Sequence, residues 1–217
     1  MPDASTLHDH LAASVLQAPH AKSLCPVIEA IATATAEIST LVALGSLAGS
    51  MASSIGQNID GDTQKELDLR TQHMLMAALR AAPVASIVSE KLDGLVVLDA
   101  NAPLAVAFDP LDGSSNIDTN MSIGTISSIR PTCGDQNPFV GPGHEQIAAG
   151  FVDYGPQTQL VLTTGSGVDI FTLDRRDQTY RLTRAQCAFP QAQPNMPSMR
   201  LTTVIGRSRC ASTSTIA

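Results

Sequence analysis

The residues best equipped for chemistry lie in one stretch, Phe108-Asp109-Pro110-Leu111-Asp112-Gly113-Ser114-Ser115-Asn116-Ile117-Asp118. Asp109 and Asp112 flank a Pro-Leu turn and offer hard oxygen ligands. Mg²⁺ prefers carboxylate oxygen and usually shares its coordination shell with substrate phosphate. Gly113-Ser114-Ser115 follows at once, and a glycine-containing turn can present a concave row of amides to an anion. Glu90 stands at the end of another apolar run, Val84 to Val88. If the two runs are neighbouring strands, Glu90, Asp109 and Asp112 converge at one edge of a sheet, where like charges cannot all stay ionised without a cation. Two Mg²⁺ ions would relieve the repulsion and create a phosphate-ester hydrolase, one acidifying a water and the other steadying the leaving oxygen. The same residues also suit an ordinary turn, because Asp, Pro and Gly all favour turns. Spacing leaves metal site and turn equally open.

Asp62 lies in the turn before a helical pattern, and Asp68 near its beginning. Taken alone, they are read as helix-start residues, which cap the chain and favour the helix dipole.

The elements that must position these groups follow from periodicity. Leu24, Val27, Ile28, Ile31, Ala34, Ile38, Leu41 and Val42 recur at helical spacing, predicting one long helix or two in succession between Ser23 and Ser54. Gly45 and Gly49 weaken its second half. A second helix runs through Met74, Leu75, Ala78 and Leu79 to about Ala82. Beyond Pro83 the period becomes that of strands: Val84 to Val88, Leu104 to Phe108, Met121 to Ile129, Ile147 to Tyr154, Gln159 to Thr163, Val168 to Leu173 and Thr179 to Thr183. Short turn-like connections between the later runs predict antiparallel neighbours, and the Pro/Gly-rich stretch from Pro131 to His144 reads as a mobile surface loop. The fold class expected is α+β layered, with long N-terminal helices packed on a mostly antiparallel sheet. Residues 1–22 read as a loose N-terminal arm with a short helix.

Composition narrows the function classes. A chain of 217 residues with 43% hydrophobic residues can build a substantial core. A net charge of −7 argues against sequence-independent nucleic-acid binding, which needs clustered Lys and Arg. The four cysteines and five histidines show no metal-ligand spacing, so neither zinc nor a disulfide framework is expected. No stretch of eighteen apolar residues runs uninterrupted by polar ones, and the first thirty residues lack a signal-peptide core. A cytoplasmic protein without membrane association is expected.

Phe108 to Asp118, with Ser122-Ile123-Gly124-Thr125-Ile126 after it, resembles the signature of class 1 fructose-1,6-bisphosphatases. Gly61-Asp62, Lys65-Glu66-Leu67-Asp68, Val88-Ser89-Glu90 and Ala149-Gly150-Phe151-Val152-Asp153-Tyr154-Gly155 match in order and spacing, so the resemblance covers about residues 23 to 185. It implies the family's N-terminal domain over 23–190, two or more Mg²⁺ per site, a sugar bisphosphate substrate and a homotetramer. The implied reaction is hydrolysis of the 1-phosphate of fructose 1,6-bisphosphate to fructose 6-phosphate, in gluconeogenesis or the Calvin cycle. Sedoheptulose-1,7-bisphosphatase activity is an alternative; an inositol-monophosphatase-like enzyme fits the signature less well. By the resemblance Glu90, Asp109, Asp112 and the Leu111 carbonyl are metal ligands, while Asp112, Gly113, Ser114 and Ser115 hold the 1-phosphate. Asp62 and Asp68 acquire catalytic roles in activating the attacking water.

Two departures accompany the resemblance. Members commonly have Glu-Glu where this chain has Glu90-Lys91. Lys91 cannot act as a base while protonated, and an ion pair with Asp68 would quench that carboxylate, so a weakened site is expected. Near the N-terminus nothing matches the loop that binds the nucleotide inhibitor in vertebrate members.

Residues 191–217 change character, and Thr202 to Ala217 resembles nothing in the family. Back-translation in the neighbouring frame permits a continuation with the family's Asn-x-Arg-x-Trp element, so we read this segment as an out-of-frame tail behind a frameshift between about Ala185 and Pro194. The expectation is a chain that keeps most metal ligands but lacks the sugar pocket, with impaired activity or survival as a non-catalytic metal-binding remnant.

Overall fold

A computed structural model describes residues 4–14, 20–48, 54–57, 63–132, 134 and 137–188. Asp62 and the tail read as out of frame lie outside the described residues.

Helix α2 (Ala21–Leu44) turns Leu24, Val27, Ile31, Ala34, Ile38 and Leu41 into the core, as its periodicity predicts. It ends ten residues before Ser54. Gly45 takes φ +51° and donates its N–H to the Val42 carbonyl, after which the chain tightens into a 3-10 turn, Gly45–Ala48. By length and composition α2 could cross a membrane, but here it packs as a core helix. Its buried hydroxyls meet the sheet: Thr35 is 3.2 Å from the Tyr180 hydroxyl, and Ser39 is 2.6 Å from Oγ1 of Thr158.

The shorter α1 (Leu7–Ser14) is docked rather than loose. Leu7 and Leu11 are buried, Leu182 donates its N–H to the Ser5 carbonyl, and His10 Nε2 lies 3.0 Å from Oδ2 of Asp169. A two-stranded ribbon of β1 (Ser54–Gln57) and β2 (Thr63–Lys65) precedes α3 (Glu66–Arg80), which buries Leu67, Asp68, Thr71, Gln72, Leu75 and Leu79.

The remaining strands are β3 (Val84–Ser89), β4 (Val96–Val97), β5 (Leu104–Asp112), β6 (Gly124–Pro131), β7 (Ala148–Tyr154), β8 (Thr158–Thr163), β9 (Val168–Asp174) and β10 (Thr179–Cys187). They form one sheet in the order β10-β9-β8-β7-β6-β5-β3-β4. Every neighbouring pair is antiparallel except β3 with β5. This is the expected α+β layering. Leu160, Leu162, Phe171, Leu173 and Tyr180 of β8 to β10 belong to the same core as α2 and α3.

The stretch after β6 was expected to be mobile, but its described far end is anchored. The buried Arg130 guanidinium donates to the Gly141 carbonyl at 3.1 Å and to Oε2 of Glu145 at 2.8 Å.

Candidate active site

The parallel pairing of β3 with β5 creates the site. In register Ser89 stands beside Phe108, so the following residues, Glu90 and Asp109, emerge side by side. β5 was expected to stop at Phe108; instead it continues to Asp112 through an irregularity. Asp109 pairs with Ile126 and Asp112 with Gly124, so β5 spends one residue more than β6 between these points. Such a bulge accommodates Pro110, which has no N–H to give a ladder. The turn reading of Asp109 to Asp112 therefore gives way to a kinked strand end. Thr125 fixes the kink by donating to the Pro110 carbonyl at 2.9 Å, and its oxygen also meets the Tyr154 hydroxyl at 2.7 Å.

Within the kink the Leu111 N–H donates to Oδ1 of Asp109 at 3.0 Å. Burial pushes the Asp109 carboxyl up to about 7, the hydrogen bond with Glu90 adds to the rise, and the Leu111 N–H opposes it. Burial alone would also raise Glu90, but its hydrogen bonds with Asp109 and Lys91 leave it below its ordinary value. These shifts favour a proton on Asp109 and the charged form of Glu90. Two hard oxygen donors this close fit a divalent cation such as Mg²⁺, which would displace that proton.

The predicted convergence is partial. Asp112 is exposed, and among the described residues no group of three His, Cys, Asp or Glu side chains is gathered to hold a metal. Gly113 has φ +79°, a left-handed conformation that leads into the 3-10 turn Ser114–Thr119. The Asn116 N–H returns to the Gly113 carbonyl at 2.8 Å, and the Asn116 side-chain amide donates to the Ser122 carbonyl at 3.1 Å. These bonds brace the predicted phosphate segment, in which Gly113 and Ser114 are half-buried and Ser115 is exposed. Leu111 has a buried side chain. The residue paired with Asp112, Gly124, has room for no side chain, because a Cβ there would stand 2.7 Å from the Val152 carbonyl oxygen.

Asp68, third in α3, is buried, and its charge acts on the ammonium of Lys91. The Lys91 hydrogen bond goes not to Asp68, as the sequence suggested, but to Oε1 of Glu90 at 3.0 Å. Burial lowers the Lys91 pKa, but the Glu90 hydrogen bond and the attraction of Asp68, Glu90 and Asp109 outweigh it and leave it raised. Two positioning residues escaped the sequence reading. Ser89 donates to Oε1 of Gln72 at 2.7 Å, tying the end of β3 to α3. Gln72 follows Asp68 by four positions, so the shared helix face was a usable signal.

The sequence family described as "Fructose-1-6-bisphosphatase, N-terminal domain" matches residues 6–185. The chain belongs to the fructose-1,6-bisphosphatase family. It is 54% identical over 170 residues to a class 1 fructose-1,6-bisphosphatase of Rhodopseudomonas palustris (strain BisB18), covering 78% of this chain and 49% of the relative. With the protein of strain BisA53 it shares 49% identity over 195 residues, or 89% of this chain and 57% of the relative. Among solved structures, the holo form of Leishmania major fructose-1,6-bisphosphatase superposes with a TM-score of 0.80 at 29% identity, covering 88% of this chain and 62% of that one. The chain spans about half the length of the curated relatives it matches.

Proposed function

We propose that the chain carries the metal-binding and 1-phosphate-binding half of an Mg²⁺-dependent fructose-1,6-bisphosphatase, acting in the cytoplasm on a sugar bisphosphate as part of a homotetramer. The observation that supports this most is the parallel register that sets Ser89 beside Phe108, so that Glu90 and Asp109 leave the ends of β3 and β5 together, beside the Gly113 turn. Glu90, Asp109, Asp112 and the Leu111 carbonyl would hold the cations. When bound, Mg²⁺ supplies Lewis-acid stabilisation of phosphoryl oxygens and acidifies water. Gly113, Ser114 and Ser115 receive the phosphate on backbone amides and hydroxyls, with the left-handed glycine letting the backbone approach. Asp68, together with Asp62, orients the attacking water and takes its proton as the new P–O bond forms. As the bond from phosphorus to the sugar oxygen breaks, that oxygen takes a proton from solvent and leaves as the hydroxyl of fructose 6-phosphate.

One observation favours a second reading, a metal-binding chain with little or no catalysis: the Lys91 ammonium is placed where it weakens the Asp68 base. Phosphate release from fructose 1,6-bisphosphate and from sedoheptulose 1,7-bisphosphate, with Mg²⁺ and with EDTA, tests both. The main reading expects faster release from the fructose substrate, stopped by EDTA and by Asp109→Asn. Release that survives Asp109→Asn overturns it; Mg²⁺ binding with no release supports the second.

A further inference from the structure

Thr125 of β6 and Tyr154 of β7 are both buried, and their hydroxyls meet under the kinked end of β5. The Thr125 oxygen lies 2.9 Å from the Pro110 carbonyl and 2.7 Å from the Tyr154 hydroxyl. Chemistry fixes the direction of both bonds. A carbonyl oxygen can only accept, so the single Thr125 proton goes to Pro110, and Tyr154 gives its own proton to Thr125. The Pro110 carbonyl and the Leu111 N–H belong to one planar trans peptide, in which the two groups point in opposite directions. Thr125 holds the carbonyl from the neighbouring strand, and the N–H on the other side meets Oδ1 of Asp109 at 3.0 Å. This peptide is clamped at both ends.

We propose that Thr125 and Tyr154 are positioning residues for the Asp109 carboxylate: Tyr154 commits the Thr125 proton to the Pro110 carbonyl, and the peptide so fixed presents the Leu111 N–H to Asp109. The inference rests on the metal-site reading proposed above and deepens it by naming what aims one of the ligands. Pro110 is buried and has no N–H of its own to anchor the kink, so its carbonyl is the handle by which the sheet can hold it. The two hydroxyls are mounted on strands rather than on a loop. Thr125 pairs with Val152 of β7, and the Tyr154 N–H donates to the Ile123 carbonyl at 2.9 Å. With Oδ1 held by an N–H, the Asp109 carboxylate keeps one orientation, and a cation arriving beside Glu90 meets a ligand already in place. Groups that orient a metal ligand from behind are worth roughly 10–100-fold in metal affinity. Without the Thr125 hydroxyl the peptide can rotate, and Leu111 no longer holds Asp109.

Mn²⁺ is the probe, because its free form is counted directly by electron paramagnetic resonance. The purified 217-residue chain is titrated with Mn²⁺ at fixed ionic strength, alongside Thr125→Val, Thr125→Ser, Tyr154→Phe, Tyr180→Phe and Asp109→Asn. Thermal unfolding without metal verifies that each variant is folded. Thr125→Val keeps the shape and removes the hydroxyl, and should weaken binding roughly tenfold or more. Tyr154→Phe leaves Thr125 able to donate and should weaken it less, while Thr125→Ser should keep the wild-type affinity. Tyr180→Phe is the matched control, since it removes a buried hydroxyl that meets Thr35 of α2 instead, and it should bind as the wild type does. Amide hydrogen exchange without metal should find the Leu111 N–H protected in the wild type and in Thr125→Ser, and faster in Thr125→Val and Tyr154→Phe. If Thr125→Val does not fold, Tyr154→Phe and the wild-type exchange decide. With Asp109→Asn losing the site, three results each overturn the inference and leave the metal site standing: wild-type affinity in Thr125→Val and Tyr154→Phe, an equal loss in Tyr180→Phe, or rapid Leu111 exchange in the wild type. If Asp109→Asn binds as the wild type does, the metal-site reading falls and this inference with it.

Discussion

Ser89 donates its hydroxyl to Oε1 of Gln72 at 2.7 Å, both side chains buried, and so fastens the strand end that bears Glu90 to the helix that bears Asp68. The other end of the Gln72 amide, Nε2, is buried with no hydrogen-bond partner among the described residues. Ser89→Ala therefore strands the whole amide and is expected to cost about 1–3 kcal/mol. Gln72→Leu removes the unpaired group along with the acceptor and should cost less. Urea unfolding of the two variants checks this order. Both should weaken Mn²⁺ binding, because each frees the Glu90 strand end from α3.

Asp109 sets metal affinity against the stability of the metal-free fold. Its ionisation is resisted by burial and by Glu90. Without metal and above neutral pH, Asp109→Asn should raise the thermal midpoint, reflecting a gain in stability on the order of 1 kcal/mol after discounting for partial exposure. Adding Mg²⁺ should raise the midpoint of the wild-type chain by mass action and leave that of the variant unchanged. Differential scanning calorimetry with and without EDTA reads both effects.

Ser39 joins α2 to the sheet in a small buried polar cluster. Its hydroxyl meets Thr158 at 2.6 Å, and Arg175 donates to both oxygens at 3.3 Å. Ser39→Ala leaves Thr158 and the guanidinium short of a partner, so a loss of about 1–3 kcal/mol is expected in urea unfolding. Ser39→Thr, which keeps the hydroxyl, should recover part of it.

The turn between β9 and β10 gives the pH dependence a clear sign. Arg176 grips Asp174 through two bonds, 2.8 Å to Oδ1 and 2.6 Å to Oδ2, and together with its own backbone N–H holds the carboxyl well below the usual value of 3.8. A lowered carboxylate stabilises the fold above its unfolded pKa and loses that contribution as pH falls through the folded one. Arg176→Ala should therefore lower the thermal midpoint at neutral pH, and the gap from wild type should shrink in acid below about 3.8. The effect should be small, since Arg176 is largely in water.

Much of this architecture was legible because burial leaves a period. The apolar rows of α2 and the alternation in β8 to β10 identify their buried faces directly. What escaped depends on partners distant in sequence. Pro110 reads as a strand breaker until Ile126 and Gly124 are seen pairing on either side of a bulge. Val96–Val97 is too short to show a period, and β4 exists because Ser86 and Ile87 offer it an edge. In the stretch after β6, the composition signals flexibility, while Arg130 holds its far end from within the sheet. At the site, the sequence singled out Glu90, Asp109 and Lys91 and paired Lys91 with Asp68, but its hydrogen bond goes to the adjacent Glu90, which no spacing rule could choose.

The central claim is that the ends of β3 and β5 together form a divalent-cation site. Crystals of the chain soaked in Mn²⁺ and measured at a wavelength where manganese scatters anomalously test it most directly. The account predicts an anomalous peak within coordination distance of both the Glu90 and Asp109 carboxylates. No peak there, or one confined to other carboxylates of the chain, would contradict it.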